Sequence, residues 1–386
     1  MFTHNVLSIT DNISLTLGAR YVDEKKDGAF DQTSASSPAC ARIAGGFGNI
    51  ITNLTSAPFN LPAATAQALA GAGLGLTCFP FAAQANLPAS AVLPIPREYD
   101  LRFKDDELTY TAQLAYNNNA GLLAYARFSH GFKSGGFNLD PAASAVGADP
   151  RFKSEKVDSY EIGVKSEFLN GKLRANLALF HMDMTDFQVL EFTGVQFQTF
   201  NVASAKSTGA ELEMLGRFDP HMTVNFSVAY TDARYPNDCD TGITGSALAT
   251  VRVLCGSQLT NAPKWAGVTG ITYDGPLNSS GWGLLANVNV NYSGKRRTST
   301  TPAESSNAAL LLPYDWQEDY FKINARLGFT TPNERFTFEL WGTNLSDEIT
   351  RGITANTPLR GGAGTRSRIA FIEEPRTYGV TVRTKF

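Results

Sequence analysis

The stretch Trp282-Gly283-Leu284-Leu285-Ala286-Asn287-Val288-Asn289-Val290-Asn291-Tyr292 decides the fold. Trp282, Leu284, Ala286, Val288, Val290 and Tyr292 fall on one face of an extended chain, and Leu285, Asn287, Asn289 and Asn291 on the other. An extended backbone turns successive side chains to opposite sides, so this is a strand with one apolar and one mostly polar face. The apolar face starts and ends on an aromatic ring, ten residues apart. At a rise of about 3.3 Å per residue and a tilt near 40°, those rings lie about 25 Å apart in height, the thickness of the apolar band of a membrane barrel.

The same alternation recurs along the chain. Ile13, Leu15, Leu17, Ala19 and Tyr21 share a face, as do Leu108, Tyr110, Ala112, Leu114 and Tyr116. Tyr160, Ile162, Val164 and Phe168 do the same, as do Met222, Val224, Phe226, Val228 and Tyr230. Phe321, Ile323, Ala325, Leu327 and Phe329 form another such row, and Tyr378, Val380, Val382 and Phe386 close the chain. Trp265 and Tyr273 bracket a further strand. The reading gives about thirteen strands, the first a partial one before Asp11, and no competing helical period. Leu61 to Pro80, the most apolar long segment, is broken by Pro62, Gln67 and several glycines and reads as a loop with room for one helical turn.

Short connections carry turn residues: Thr10-Asp11-Asn12, Asn117-Asn118-Asn119, Leu169-Asn170-Gly171-Lys172, Asp219-Pro220-His221, Gly275-Pro276 to Gly281, and Thr331-Pro332-Asn333-Glu334. They alternate with long connections over 27–98, 132–152, 235–262, 297–316 and 347–372, and a shorter one around 189–198. Long strands, aromatic brackets and this asymmetry of turns predict an antiparallel transmembrane β-barrel rather than a soluble sandwich. Charged residues make up 18% of the 386-residue chain, below the roughly 25% usual for soluble domains. The net charge of −3 argues against a nucleic-acid partner, which calls for a basic excess. No stretch approaches 18 consecutive apolar residues, so no transmembrane helix is expected.

With short turns in the periplasm and long loops outside, the last strand runs downward to Phe386, and the first partial strand also runs downward from Met1. Closed single-chain bacterial barrels normally have an even strand count. The odd count, and a beginning without the features of a signal peptide, lead to the expectation that residues 1–386 are the C-terminal part of something longer.

Several segments resemble TonB-dependent outer-membrane receptors. They are Tyr125-Ala126-Arg127-Phe128-Ser129-His130-Gly131-Phe132-Lys133-Ser134-Gly135-Gly136-Phe137-Asn138, Glu155-Lys156-Val157-Asp158-Ser159-Tyr160-Glu161-Ile162-Gly163-Val164-Lys165, Lys206-Ser207-Thr208-Gly209-Ala210-Glu211-Leu212-Glu213, Asn261-Ala262-Pro263-Lys264-Trp265 and Asn344-Leu345-Ser346-Asp347-Glu348. Together, in this order, they are similar to the C-terminal 13 strands of a 22-stranded transporter barrel. The resemblance implies active uptake of a scarce ligand, often a ferric siderophore, with TonB as energy-coupling partner through an N-terminal plug that these residues do not include. It also implies that Phe386 is a signal read by the barrel-assembly machinery.

Chemistry-bearing residues are sparse. His4, His130, His181 and His221 lie apart, without metal-ligand spacing, and Asp183 and Asp186 read as solvated charges near an external rim. No catalytic motif occurs, so no enzyme activity and no cofactor are expected. Cys40 and Cys78 fall in one long loop, Cys239 and Cys255 in another. Of three possible connectivities the local pairing is favoured, each bridge being worth about 3–4 kcal/mol in the chain-entropy account. Arg127, Lys133, Arg296, Arg297, Arg351 and Arg360 lie at upper strand ends or in external loops. They are candidates for attracting an anionic ferric chelate; ordinary loop charge, facing water or outer-leaflet lipopolysaccharide, is the competing reading. Lumen-facing Asn287, Asn289, Asn291 and Asn324 read as partners of a plug. The leading function is a TonB-coupled transporter; a passive porin-like channel and a surface adhesion barrel are the alternatives.

Overall fold

The computed structural model describes residues 1–31, 42–43, 45–78, 98–138, 149–192, 197–242, 251–252, 254–300, 313–357 and 368–385. Thirteen strands pair in sequence order into one antiparallel sheet. They are β1 (Phe2–Ser8), β2 (Ile13–Asp31), β3 (Glu98–Asn117), β4 (Leu122–Lys133), β5 (Glu155–Phe168), β6 (Leu173–Phe192), β7 (Phe197–Asp219), β8 (Met222–Arg234), β9 (Trp265–Pro276), β10 (Gly283–Ser293), β11 (Tyr320–Thr330), β12 (Phe336–Thr343) and β13 (Thr377–Thr384). Among the described residues, β1 pairs only with β2 and β13 only with β12, so the wall curves without closing.

The faces follow the alternation. Tyr160, Ile162 and Val164 on β5, Leu177 and Leu179 on β6, Val288 on β10, and Val380 and Val382 on β13 are all exposed. In register, Val288 lies between Ile271 and Ala325, so neighbouring strands put apolar side chains on the same side of the sheet. An apolar outer face is what a lipid-facing wall requires, because the surrounding solvent is hydrocarbon. Aromatic rings gather near the upper edge of this face: Tyr230 meets Trp265 with ring centroids 4.9 Å apart, and Tyr292 meets Phe321 at 4.8 Å. The opposite face is hydrogen-bonded. Asn287 donates to Thr272 Oγ1 at 2.7 Å and Asn289 to Asn287 Oδ1 at 2.6 Å.

At the short-turn end the backbone reverses tightly. Leu169, Asn170 and Gly171 all take positive φ (54°, 58° and 80°), a left-handed run that asparagine and glycine make accessible. At the other end the strands outgrow the apolar band. The 19 residues of β2 stay in register with β3 up to the Asp31–Glu98 pair, and β6 and β7 run 20 and 23 residues. Two-stranded pieces absent from the sequence reading decorate this end: Gly136–Phe137 with Arg151–Phe152, Arg296–Arg297 with Trp316–Gln317, and Arg351–Asn356 with Arg368–Ile372.

One expectation fails here. Residues 63–78 are not loop: helix α1 (Phe47–Thr55) is followed by helix α2 (Ala63–Cys78), whose first turn closes with the Ala66 N–H on the Pro62 carbonyl at 2.9 Å, while Phe79 and Pro80 lie outside the described residues. Proline at the start of a helix sacrifices no hydrogen bond, and the alanine and leucine content of α2 carries its glycines. The expectation of no helical period is corrected by the same residues.

The buried apolar cluster of the chain is also at this end. Val189, Phe200, Val202 and Ala205 of β6 and β7 pack with Tyr235, Cys239, Val251 and Leu254 from the β8–β9 connection. Cys239 and Cys255 are joined by a disulfide across this connection.

Candidate functional site

The external end of the wall, where the long connections meet, is the candidate ligand site. The Gly131–Asn138 motif builds one side of it. Gly135 sits where a Cβ would collide with the Phe152 carbonyl and the Phe103 ring, so only glycine lets these segments meet. Its N–H donates to Ser154 Oγ at 3.0 Å, and the Ser154 hydroxyl donates to Asp105 on β3. Lys26 of β2 donates to the Gly135 carbonyl at 2.7 Å. Asn138 exchanges two hydrogen bonds with Thr199 on β7, each 2.7 Å. Gln188 of β6, nine-tenths buried, donates its amide to the Ser134 and Lys153 carbonyls, both at 3.0 Å. The motif thus stitches β2–β3 to β6–β7 through side-chain and backbone contacts.

The opposite side is a buried polar cluster. Arg296 is only 6% exposed and donates to Ser293 Oγ, Tyr320 Oη, the Arg351 carbonyl and Glu373 Oε1, the last at 2.9 Å. Glu373 also accepts from Lys322 at 3.0 Å and Thr350 at 2.6 Å. Burial pushes this carboxyl up, but Thr350, Lys322 and Arg296 outweigh it and hold it below the usual carboxylate range. Arg297 donates to Ser257 Oγ at 2.5 Å and to the Gln258 carbonyl. Beside them Arg368 pairs with Asp315 at 2.8 Å, both side chains almost fully buried, and Thr354 donates to Asp315 Oδ1 at 2.7 Å. These bonds tie the β10–β11 connection to the β12–β13 connection and, through Arg297, to the β8–β9 connection.

The six sequence-predicted cations therefore fall into different places. Arg296, Arg297 and Arg351 come together in the polar cluster, the Arg351 guanidinium donating to the Trp316 carbonyl at 3.0 Å. Arg127 is not at an upper strand end: it lies midway along β4, five residues above the short turn, and pairs with Glu161 at 2.7 Å, whose other oxygen accepts from Tyr125 at 2.6 Å. Lys133 ends β4 with an exposed side chain. Arg360, Cys40 and Phe386 lie outside the described residues, as do the side-chain surroundings of Cys78. The reading missed Asp315, Arg368 and Glu373: their partners lie 53 and 77 residues away in the chain, and no local spacing encodes that.

The histidines are dispersed. His130 contacts Asp158 at 2.6 Å, His181 contacts Thr208 and Asp183, and His221 contacts the Asp274 carbonyl. Asp186 pairs with Lys153 at 3.1 Å. Among the described residues no group of three His, Cys, Asp or Glu is placed to hold a metal ion. Near the tip of β6, burial raises the Glu191 carboxyl to about 7 against the pull of Arg368. Glu191 stands 18 residues above the β5–β6 turn, well beyond the apolar band.

A wall apolar outside, polar inside and girdled by aromatics, with tight turns below and long built connections above, defines an outer-membrane β-barrel protein of a Gram-negative bacterium. The model of the TonB dependent receptor-like β-barrel matches residues 2–345, and the chain belongs to that family. It is 27% identical over 215 residues to a metal-pseudopaline receptor, CntO, of Pseudomonas aeruginosa, covering 55% of this chain and 27% of that protein. It is 24% identical over 284 residues to the pesticin receptor of Yersinia pestis, covering 73% of this chain and 36% of that one. Among solved structures, the ferric yersiniabactin uptake receptor FyuA of Yersinia pestis superposes with a TM-score of 0.68 at 17% identity, covering 100% of this chain and 45% of that one. The chain thus spans less than half the length of these relatives, and the superposition speaks for the fold.

Proposed function

We propose that this chain supplies the C-terminal barrel wall of a receptor that draws a scarce small-molecule ligand across the outer membrane, a ferric siderophore foremost, with energy delivered by TonB through an N-terminal plug. The observation that carries the reading is the family match, together with relatives named as receptors for metal chelates. Two open edges of the described sheet support further barrel strands in the working protein, because unpaired strand edges are not tolerated in hydrocarbon. In this reading Lys133 and Arg127 contact the arriving ligand, while Arg296, Arg297 and Arg351 hold the rim that positions it. Arg360 and a Cys40–Cys78 bridge belong to the same proposal.

The test is uptake of radiolabelled ferric chelates by cells lacking the gene and by complemented cells, with and without a protonmotive-force uncoupler. Uptake restored by the gene and abolished by the uncoupler is the expected result. Gene-dependent diffusion of neutral sugars, insensitive to the uncoupler, would instead make the protein a passive channel.

A further inference from the structure

Halfway down the inner face, below the polar cluster of the rim, β10, β11 and β12 enclose a cleft of about 350 Å³. Asn287, Asn289, Asn324, Arg326, Trp341 and Thr343 line it. The register brings them together: Asn287 stands opposite Arg326, Asn289 opposite Asn324, and Arg326 opposite Trp341. They alternate with the outward Val288, Ala325 and Leu327, so they point into the lumen. Arg326 lies four residues below Lys322 on the same face, about 10 Å deeper at a rise of about 3.3 Å per residue and a tilt near 40°.

The walls of the cleft are fixed. Asn287 donates to Thr272 Oγ1 and accepts from Asn289, so these asparagines bond within the wall. The Asn324 amide oxygen accepts the Asn344 N–H at 2.8 Å. The Trp341 ring lies over Gly379, where a Cβ would come within 2.6 Å of it, and its indole N–H donates to Thr381 Oγ1 at 3.1 Å. The Asn324 amide N–H groups and the Arg326 guanidinium remain uncommitted. Arg326 is half-exposed, makes no hydrogen bond among the described residues, and stands 4.0 Å from Glu339 Oε2. Glu339 is 3% exposed; its Oε1 accepts from Arg383, while Oε2 has no hydrogen-bond partner among the described residues. Lys322, higher on the same strand, is by contrast bonded to Glu373 at 3.0 Å. A guanidinium fork beside an amide N–H group matches the two oxygens of a carboxylate. Glu339 sets the strength of that match. At 4.0 Å it attracts Arg326 without bonding to it, so an arriving carboxylate competes with a resident one.

We propose that this cleft is a lumenal binding site for a carboxylate group of the solute in transit, held by Arg326 and Asn324 against the indole of Trp341. Glu339 weakens the hold, as a step on a route requires: binding must be favourable enough to enter and weak enough to leave. The proposal rests on reading the chain as the wall of an uptake receptor. A small solute fits better than a permanent protein partner. Among the described residues no side chain lining the cleft has a buried polar atom without a bond, as the seat of a permanent partner would.

The test uses the receptor purified as its full chain in mild detergent, with citrate as the probe and Thr343→Cys, carried in every variant, as the reporter at the cleft. Peptide mapping after a small thiol reagent should find residue 343 labelled. Citrate should slow that labelling, and glycerol, which has hydroxyls and no carboxylate, should not. Arg326→Gln should raise the citrate concentration for half-protection about tenfold or more. Glu339→Gln removes the competing charge and should lower it roughly threefold, a change of sign that damaged folding cannot imitate. Arg174→Gln, at the short-turn end of β6, should leave it unchanged. A position 343 closed to the reagent would mean that protein fills the cleft permanently and would overturn the proposal. Equal protection in Arg326→Gln, weaker protection in Glu339→Gln, or protection by glycerol would overturn it too. Uncoupler-sensitive uptake of a ferric chelate reports on the broader reading separately: it can persist where citrate protection fails, and protection can be seen where uptake is absent.

Discussion

The lower and upper parts of β6, β7 and β8 belong to the same strands and obey opposite rules. Below, Leu177 and Leu179 point outward and stay exposed in the isolated wall, with no apolar core behind them. Above, Val202, Val251 and Leu254 are completely buried in a small core roofed by the β8–β9 connection. The lower part is stable because lipid takes the place of a core; the upper part meets water and has to build one. The same split governs charge. The membrane band keeps ions off its outer face, whereas the external end buries the Arg368–Asp315 pair and the guanidinium of Arg296, whose partner Glu373 is half-buried.

Four measurements can break or sharpen this contrast. The largest effect is expected from Asp315→Ala. It strands the buried Arg368 guanidinium, a loss of about 3–5 kcal/mol for a buried pair cut on one side. Hydrogen exchange should accelerate in 296–299 and 351–356 and stay unchanged in the membrane band; uniform acceleration would mean that the two parts are one cooperative unit. Next is Val288→Arg, on the lipid face midway between the girdles, expected to cost roughly 2–4 kcal/mol of folding in vesicles, while Asn289→Arg on the inner face is tolerated. Equal folded fractions would show the faces to be misassigned. Trp265→Ala removes the ring that meets Tyr230 and should destabilise the wall through the lost aromatic pair by roughly 0.5–1.5 kcal/mol, plus whatever membrane anchoring the ring supplies. No change in urea midpoint would remove that ring from the girdle.

The smallest effect concerns pH. A folded carboxyl raised to about 7 binds a proton in a range where the unfolded chain does not, so the tip of β6 and β7 should gain stability as pH falls from 7 toward 4.5. Above 7 both states are ionised and the dependence should flatten. Glu191→Gln should abolish the slope in hydrogen exchange of 187–202, and a slope that survives would assign it to another group.

How much of this is legible in sequence follows from the same division. The wall was legible because a strand bathed in lipid on one side must alternate: Trp282 to Tyr292 gave the faces, and thirteen strands pair as the alternation predicts. The upper end was not, because nothing there repeats. Arg296 finds Glu373 across 77 residues, and the three short hairpins carry too few residues for a period to emerge. Helix α2 escaped for a related reason. Its run of alanine, glycine and leucine has no polar face to mark a 3.6-residue period, and its glycines imitate a loop. In sequence the six cations look alike; only their partners reveal that Arg296 and Arg297 face inward to protein.

The unequal strand lengths have a consequence for how the rim holds together. With 23 residues in β7 and 8 in β12, the described wall rises by two different means: β6–β7 continues as one ladder, whereas above β12 a separate hairpin, Arg351–Asn356 with Arg368–Ile372, stands on the connection. The first is held by a run of backbone hydrogen bonds, the second by the side-chain bonds of Arg296, Asp315 and Glu373, so the two sectors of the rim would yield to different chemistry, the one to strand separation and the other to loss of a charge pair.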